Sequence, residues 1–215
     1  MKLIRPSIRF LNMTRYPLTT IEEAGRTCYK SEDKIASGTS EKFAQKLLDR
    51  GHLAMIEHAY ASYRVICDRG VTHEIVRHRL FSYAQESTRY CNYKESVTFI
   101  IPLWMPSLIL HNDNLRWEDI YAEESYEAQW LRHMASCEIA YQDAIEAGWS
   151  PQQARGVLPN ALKTEIVMTG NLREWRHFFK LRTAKAAHPQ MQEVANMLLE
   201  DIRKRVSVIF EKLEL

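Results

Sequence analysis

Residues 72–90 read THEIVRHRLFSYAQESTRY, a run richer in groups that bind anions than in groups that attack carbon. Arg77, His78 and Arg79 stand together, and Ser87, Thr88, Arg89 and Tyr90 begin eight residues after Arg79. With His73 that makes five cations or potential cations among hydroxyls and amides, a mixture no core-packing pattern explains. Guanidinium forks and hydroxyl donors match the oxygens of a dianionic phosphate. Three further arginines keep suggestive company. Arg155 lies among apolar residues in ARGVLP, Arg173 follows Gly170-Asn171, and Arg182 follows FFKL. Each alone reads as a solvated surface cation. Brought together by the fold, they would hold more than one phosphate.

Other chemistries find less support. His73 and His78 are five residues apart, which on a helix turns them about 140° from each other. The zinc-binding HExxH helix needs a spacing of four, and no neighbouring cysteine completes a site, so no metal centre is expected. Cys28, Cys67, Cys91 and Cys137 form no CxxC pair, and none adjoins a histidine, so neither a catalytic thiolate nor a disulfide framework is expected. Ser82 and Ser87 lack the GxSxG context of a serine nucleophile and read as hydrogen-bond donors.

The elements that must position these residues follow from pattern. Residues 2–12 predict an opening strand. A helix is predicted over 19–30, with Glu22 and Glu23 in its first turn, and another opens at Ser40 and stops at Gly51. Residues 58–67 alternate as a strand, Asp68-Arg69-Gly70 form a turn, and Thr72 caps a helix carrying Glu74, Arg77 and His78. A strand over 97–101 ends at Pro102, and residues 102–114 are irregular. Apolar spacing predicts a helix over 117–147, ended by Gly148, then a short helix starting at Ser150-Pro151. A strand over 163–169, a helix LREWRHFFKLR and a last amphipathic helix over 189–212 complete the chain.

Helices interrupted by three or four non-adjacent strands predict an α+β fold, with one domain over residues 1–215. The 46% hydrophobic and 26% charged fractions are those of an ordinary globular protein. A net charge of +2 is too small to argue for a general nucleic-acid partner. Arg5 and Arg9 interrupt the N-terminal apolar run, so no signal peptide is read, and TFIIPLWMPSLIL is too short and proline-broken to span a bilayer. The cytoplasm is the expected compartment.

The pattern RHRxxSxxxxSxRY, followed by ARGVLP, TGNLREW and LRT in that order, resembles the flavin-dependent thymidylate synthases over about residues 45–200. The resemblance implies a mixed or antiparallel sheet flanked by helices, the fold of thymidylate synthase-complementing proteins. It implies a homotetramer with active sites between subunits, FAD as cofactor, dUMP as substrate, and NADPH and 5,10-methylenetetrahydrofolate as co-substrates. Carried over by motif, Arg77, His78, Arg79, Gln85, Asn171, Leu172, Arg173 and His177 would contact flavin. Glu74, Ile75, Val76, Arg77, Gln85, Glu86, Ser87, Thr88, Arg89, Arg155 and Arg182 would contact dUMP, and Arg182 would face the uracil ring and favour its ionisation. His52 and Glu57 fall in a site-lining loop, and Glu74, Ala54, Ala84 and Gln85 depart from common family residues. A nucleotide- or RNA-binding module using residues 77–90 is the alternative from another class, and a flavoprotein of unrelated reaction is a third.

Overall fold

The computed structural model describes residues 1–105 and 124–213. Residues 106–114 of the expected irregular stretch, and 117–123 of the expected long helix, lie outside the described residues. Strands form where β-branched and aromatic residues alternate: β1 (Lys2–Ile4), β2 (Ser7–Met13), β3 (Tyr60–Asp68), β4 (Ser82–Gln85), β5 (Thr98–Ile100) and β6 (Lys163–Asn171). The helices are α1 (Pro17–Thr27), α2 (Thr39–Asp49), α3 (Arg69–Ile75), α4 (Tyr126–Glu146), α5 (Pro151–Ala154), α6 (Leu172–Arg182), α7 (Pro189–Arg205) and α8 (Ser207–Phe210). The mixture is the α+β class expected.

The larger sheet has the order β2-β3-β6-β4, and β1 pairs with β5 in a small parallel sheet, Leu3 opposite Phe99. Direction in the larger sheet follows from its end bonds. Thr14 N–H donates to Tyr60 O at 3.0 Å and Leu172 N–H to Ala59 O at 2.8 Å, so the ends of β2 and β6 both lie beside the start of β3. Both pairs are therefore antiparallel.

Cα proximity divides the chain into two compact units. The first comprises Met1–Pro6, Ile66–His73 and Gln85–Ile166. Its core packs Leu3, Val97, Phe99, Leu131, Met134, Tyr141 and Leu162. The second comprises Ser7–Val65, Glu74–Ala84 and Val167–Leu215. In it Tyr63, Trp175, Phe178, Phe179 and Phe210 are fully buried with aliphatic residues of α7, and the ring centroids of successive aromatic pairs lie 5.4–5.7 Å apart.

Several expectations are corrected. The opening strand breaks at Arg5-Pro6, because Pro6 has no N–H for a ladder; Arg5 instead donates to the carbonyls of Ile101 and Pro102 at 3.2 and 2.9 Å. Pro17 starts α1, so Glu22 is not in the first turn. It is buried and accepts from Arg26 and Thr39, each at 2.8 Å. The cap of α3 is Asp68, whose Oδ1 accepts from Val71 N–H at 2.7 Å. Thr72 lies inside that helix, and α3 ends at Ile75, before Arg77 and His78. Residues 82–85, given no element by pattern, form strand β4. Tyr126 and Ile139 of α4 are exposed while Glu138 is buried, accepting from Val97 N–H at 2.8 Å and pairing with the N-terminal amine at 2.7 Å. The last predicted helix breaks at Val206 into α7 and α8.

Gly170 has a packing reason. A Cβ there would run into the Phe81 ring, which packs edge-on to Trp175 at 4.8 Å between centroids and cannot retreat into the filled core. Gly170→Ala is expected to destabilise the fold by about 1–3 kcal/mol, read by denaturant unfolding. Unchanged stability would show that the ring moves freely.

Candidate active site

The signature run divides between the units, residues 74–84 in the second and 85–90 in the first. In the second unit the centre of the arrangement is Arg182, half-buried at the end of α6. Its Nε–H donates to His78 Nε2 at 2.9 Å, Nη1 to Glu74 Oε2 at 2.8 Å and Nη2 to the Glu74 carbonyl at 3.1 Å. Because His78 Nε2 accepts, its proton sits on Nδ1, which lies 3.5 Å from Glu174 Oε1. Burial first, then Arg182 and His177, push the His78 pKa down to about 4, so the ring is neutral. Phe178 and His177 flank it edge-on, centroids 5.0 and 5.7 Å away. Tyr83 Oη donates to the carbonyls of Ile75 and His78 at 2.7 and 2.9 Å, which fixes the turn after α3.

His78, Glu174 and His177 bring one ligating atom each within 4.8 Å of one another. That geometry invites a metal reading. The Arg182 hydrogen bond decides against it in this state, since the proton it forces onto Nδ1 leaves no lone pair there.

Around this centre the other expected residues are placed differently. Arg77 and Arg79 are exposed, Ile75 is buried and Val76 exposed. Asn171 is the N-cap of α6, its Oδ1 accepting from Glu174 N–H at 2.8 Å. Leu172 is fully buried. Arg173 is exposed and pairs with Glu57 at 2.5 Å. Arg173 also borders a pocket of about 440 Å³ lined by Cys28, Tyr29, Leu47, His52, Leu53, Ala54 and Met55. That volume, with apolar walls, one cation and one imidazole, suits a small organic ligand.

In the first unit, residues 85–91 make a compact donor loop. Ser87 O accepts from the N–H groups of Tyr90 and Cys91 at 3.1 and 2.9 Å, and Ser87 Oγ from Arg89 N–H at 3.3 Å. Arg89 is exposed, and Arg155 Nη1 donates to Thr88 Oγ1 at 3.3 Å. The structure thus joins Arg155 to the loop. Gln85 Nε2 donates to Thr72 and Thr164 hydroxyls at 3.0 and 3.3 Å. Glu86 accepts from Tyr93 Oη at 2.7 Å and Lys163 Nζ at 2.9 Å, so its carboxylate is already satisfied.

Residues missed from the sequence support this loop. Lys163 bridges Glu86 and Glu165, the second contact at 2.7 Å, and Tyr93 holds Glu86 from the other side. Neither carried a local signal. Arg69 has a buried Nη1 without a hydrogen-bond partner, a charged donor that an anion would satisfy. Its place beside Gly70 at a strand-to-helix junction was the available clue. Two of the four thiols sit in environments that disfavour the thiolate: burial pushes the pKa of both Cys67 and Cys137 up.

Comparison with known proteins then identifies the chain. The family model described as thymidylate synthase complementing protein matches residues 9–206. A flavin-dependent thymidylate synthase of Pyrococcus furiosus is 34% identical over 208 residues, covering 92% of this chain and 79% of the relative. One of Mycobacterium tuberculosis is 33% identical over 201 residues, covering 90% and 78%. The UMP/dUMP methylase PolB of Streptomyces cacaoi, solved with 5-Br dUMP bound, superposes with a TM-score of 0.79 at 21% identity, covering 98% of this chain and 96% of that one. On these matches, the chain belongs to the flavin-dependent thymidylate synthase family.

Proposed function

We propose that this protein converts dUMP to dTMP by reductive methylation, with FAD as cofactor, 5,10-methylenetetrahydrofolate as one-carbon donor and NADPH as reductant. The observation that carries the reading is the pinned, half-buried Arg182 guanidinium of a chain in this family. It is a preorganised donor able to stabilise negative charge on a pyrimidine ring. Loop residues Gln85–Arg89, with Arg155 and Arg69, supply hydroxyl, backbone and guanidinium donors for the nucleotide phosphate.

The second unit fits the cofactor in kind. Arg77, Arg79 and Arg173 are exposed cations for its phosphates, and His177 is exposed for contact. The pocket bordered by Arg173, His52 and Ala54 offers apolar walls for a ring system. Asn171 and Leu172 would act through backbone and amide groups, since the Asn171 oxygen is committed to the cap and Leu172 is buried. Bound flavin supplies the redox chemistry, while the protein binds and orients. No thiolate is assigned a role.

A homotetramer with active sites shared between subunits completes the proposal. Exposed Val76, Leu80 and Leu181 beside the arginine cluster support such contacts. The family match runs through segments of both units, which supports one domain over 1–215. Four free cysteines support a reducing compartment, the cytoplasm; among the described residues no helix is long and apolar enough to cross a membrane.

Two measurements test the function: an absorption spectrum showing flavin bands, and tritium release from [5-³H]dUMP with NADPH and methylenetetrahydrofolate. A protein that takes up no FAD and instead binds oligonucleotides in a salt-sensitive manner would overturn the reading in favour of a nucleic-acid module. Flavin binding without dUMP-dependent turnover would point to an unrelated flavoprotein. Arg182→Ala is expected to lower dTMP formation by at least about 100-fold with FAD still bound; retained turnover would remove Arg182 from that role. Cys91→Ala is expected to keep near wild-type turnover, and an inactive but folded variant would reopen covalent catalysis.

A further inference from the structure

A guanidinium has five N–H groups, and three of those on Arg182 have partners among the described residues. One N–H on each terminal nitrogen remains for a ligand. Two of the three internal bonds go to one residue, Glu74, through a carboxylate oxygen at 2.8 Å and its backbone carbonyl at 3.1 Å. Glu74 occupies the last turn of α3, and its carbonyl, which already accepts from Arg77 N–H at 3.2 Å, takes the Arg182 bond on its second lone pair.

The charge consequence is as important as the geometry. A lone guanidinium attracts any anion at a distance. Paired with a carboxylate at 2.8 Å, it presents a dipole, whose field falls faster with distance than that of a charge. Such a fork has little pull on a passing phosphate, yet it can still donate two hydrogen bonds to a pyrimidine edge placed against it. Increasing negative charge on the ring then strengthens those bonds.

We propose that Glu74 is a positioning residue for the methylation reaction, holding the Arg182 fork toward the pyrimidine and tempering its charge so that the ring ionises only when seated against it. This rests on the function proposed above. It gives Glu74 a task through Arg182 in place of a nucleotide contact.

The groups facing Arg182 are Glu74 from α3 and His78 from the turn after it, with Glu174 and His177 of α6 behind His78, and Tyr83 nearby. His78, with its pKa at about 4, keeps one charge state from mildly acidic to alkaline pH. Burial pushes the Tyr83 phenol upward, away from the range in which uracil N3–H ionises. A pH response in that range therefore reports on the ring rather than on His78 or Tyr83.

The test measures dUMP affinity by calorimetry on FAD-loaded enzyme from neutral to alkaline pH, together with kcat and KM. Glu74→Gln keeps an acceptor for Nη1 and removes the negative charge. The rise in affinity that accompanies ring ionisation should move to lower pH by about one unit, a tenfold change in the ionisation constant. Glu74→Ala removes the same charge and the side-chain bond as well, so the rise should also move to lower pH while kcat falls about 10- to 100-fold, a loss that Glu74→Gln should not show. Downward shifts in both variants, with kcat lost only in Glu74→Ala, support the proposal. An unmoved pH profile, or equal kcat in the two variants, overturns it and leaves Glu74 as a plain nucleotide contact. Should Glu74→Ala fail to fold, Glu74→Gln decides alone: a downward shift supports the proposal, and none overturns it. Absence of dUMP-dependent turnover in the wild-type protein overturns the functional reading itself, a result separate from any behaviour of the variants.

Discussion

A guanidinium drawn half out of water cannot give up its charge, so its N–H groups must find acceptors where the fold places them. Arg182 meets this constraint with Glu74 and His78, and much of the second unit is arranged accordingly. The bond to His78 selects one tautomer, which turns Nδ1–H toward Glu174. Keeping that imidazole neutral takes burial, supplied by Phe178 and Phe81 at its edges. Phe81 in turn needs the missing side chain at Gly170. A single charged group thereby accounts for a glycine, an aromatic cluster and a histidine without a free lone pair.

The donor loop of the first unit obeys a different rule. Phosphate binding needs N–H and O–H groups pointed outward, and any carboxylate in the loop must be neutralised or turned aside. Glu86 is turned aside. Tyr93 and Lys163 take its two oxygens, while the backbone of Ser87 closes the turn that presents Arg89. The repulsion that an acid would cause in the proposed phosphate loop is thereby reduced.

Two of the four thiols are set against the role of nucleophile. Burial raises the pKa of Cys67 and Cys137, the reverse of what a nucleophile needs. Activation by electrostatic preorganisation, with redox chemistry supplied by a cofactor, is a coherent alternative to covalent attack. The role proposed for Arg182 is of that kind.

Much of this was legible in the sequence. The alternation over 163–169, the helix LREWRHFFKLR and the strand at 97–101 are local patterns, and local patterns set local structure. The ordered blocks around Arg77, Arg155 and Arg173 named the family, because motif order survives where overall identity is low. Tertiary structure decided the rest. Thr72 looks like a cap from its neighbours, but Asp68 reaches Val71 N–H first, and Thr72 turns to Gln85. Ser82–Gln85 carries no strong strand signal and becomes a strand because β6 offers it a partner. Glu74 reads only as a departure from a common family residue until Arg182, distant in sequence, is set against it. Sequence spacing orders residues along the chain, while pairing of charges and hydrogen bonds depends on distances that only the fold creates.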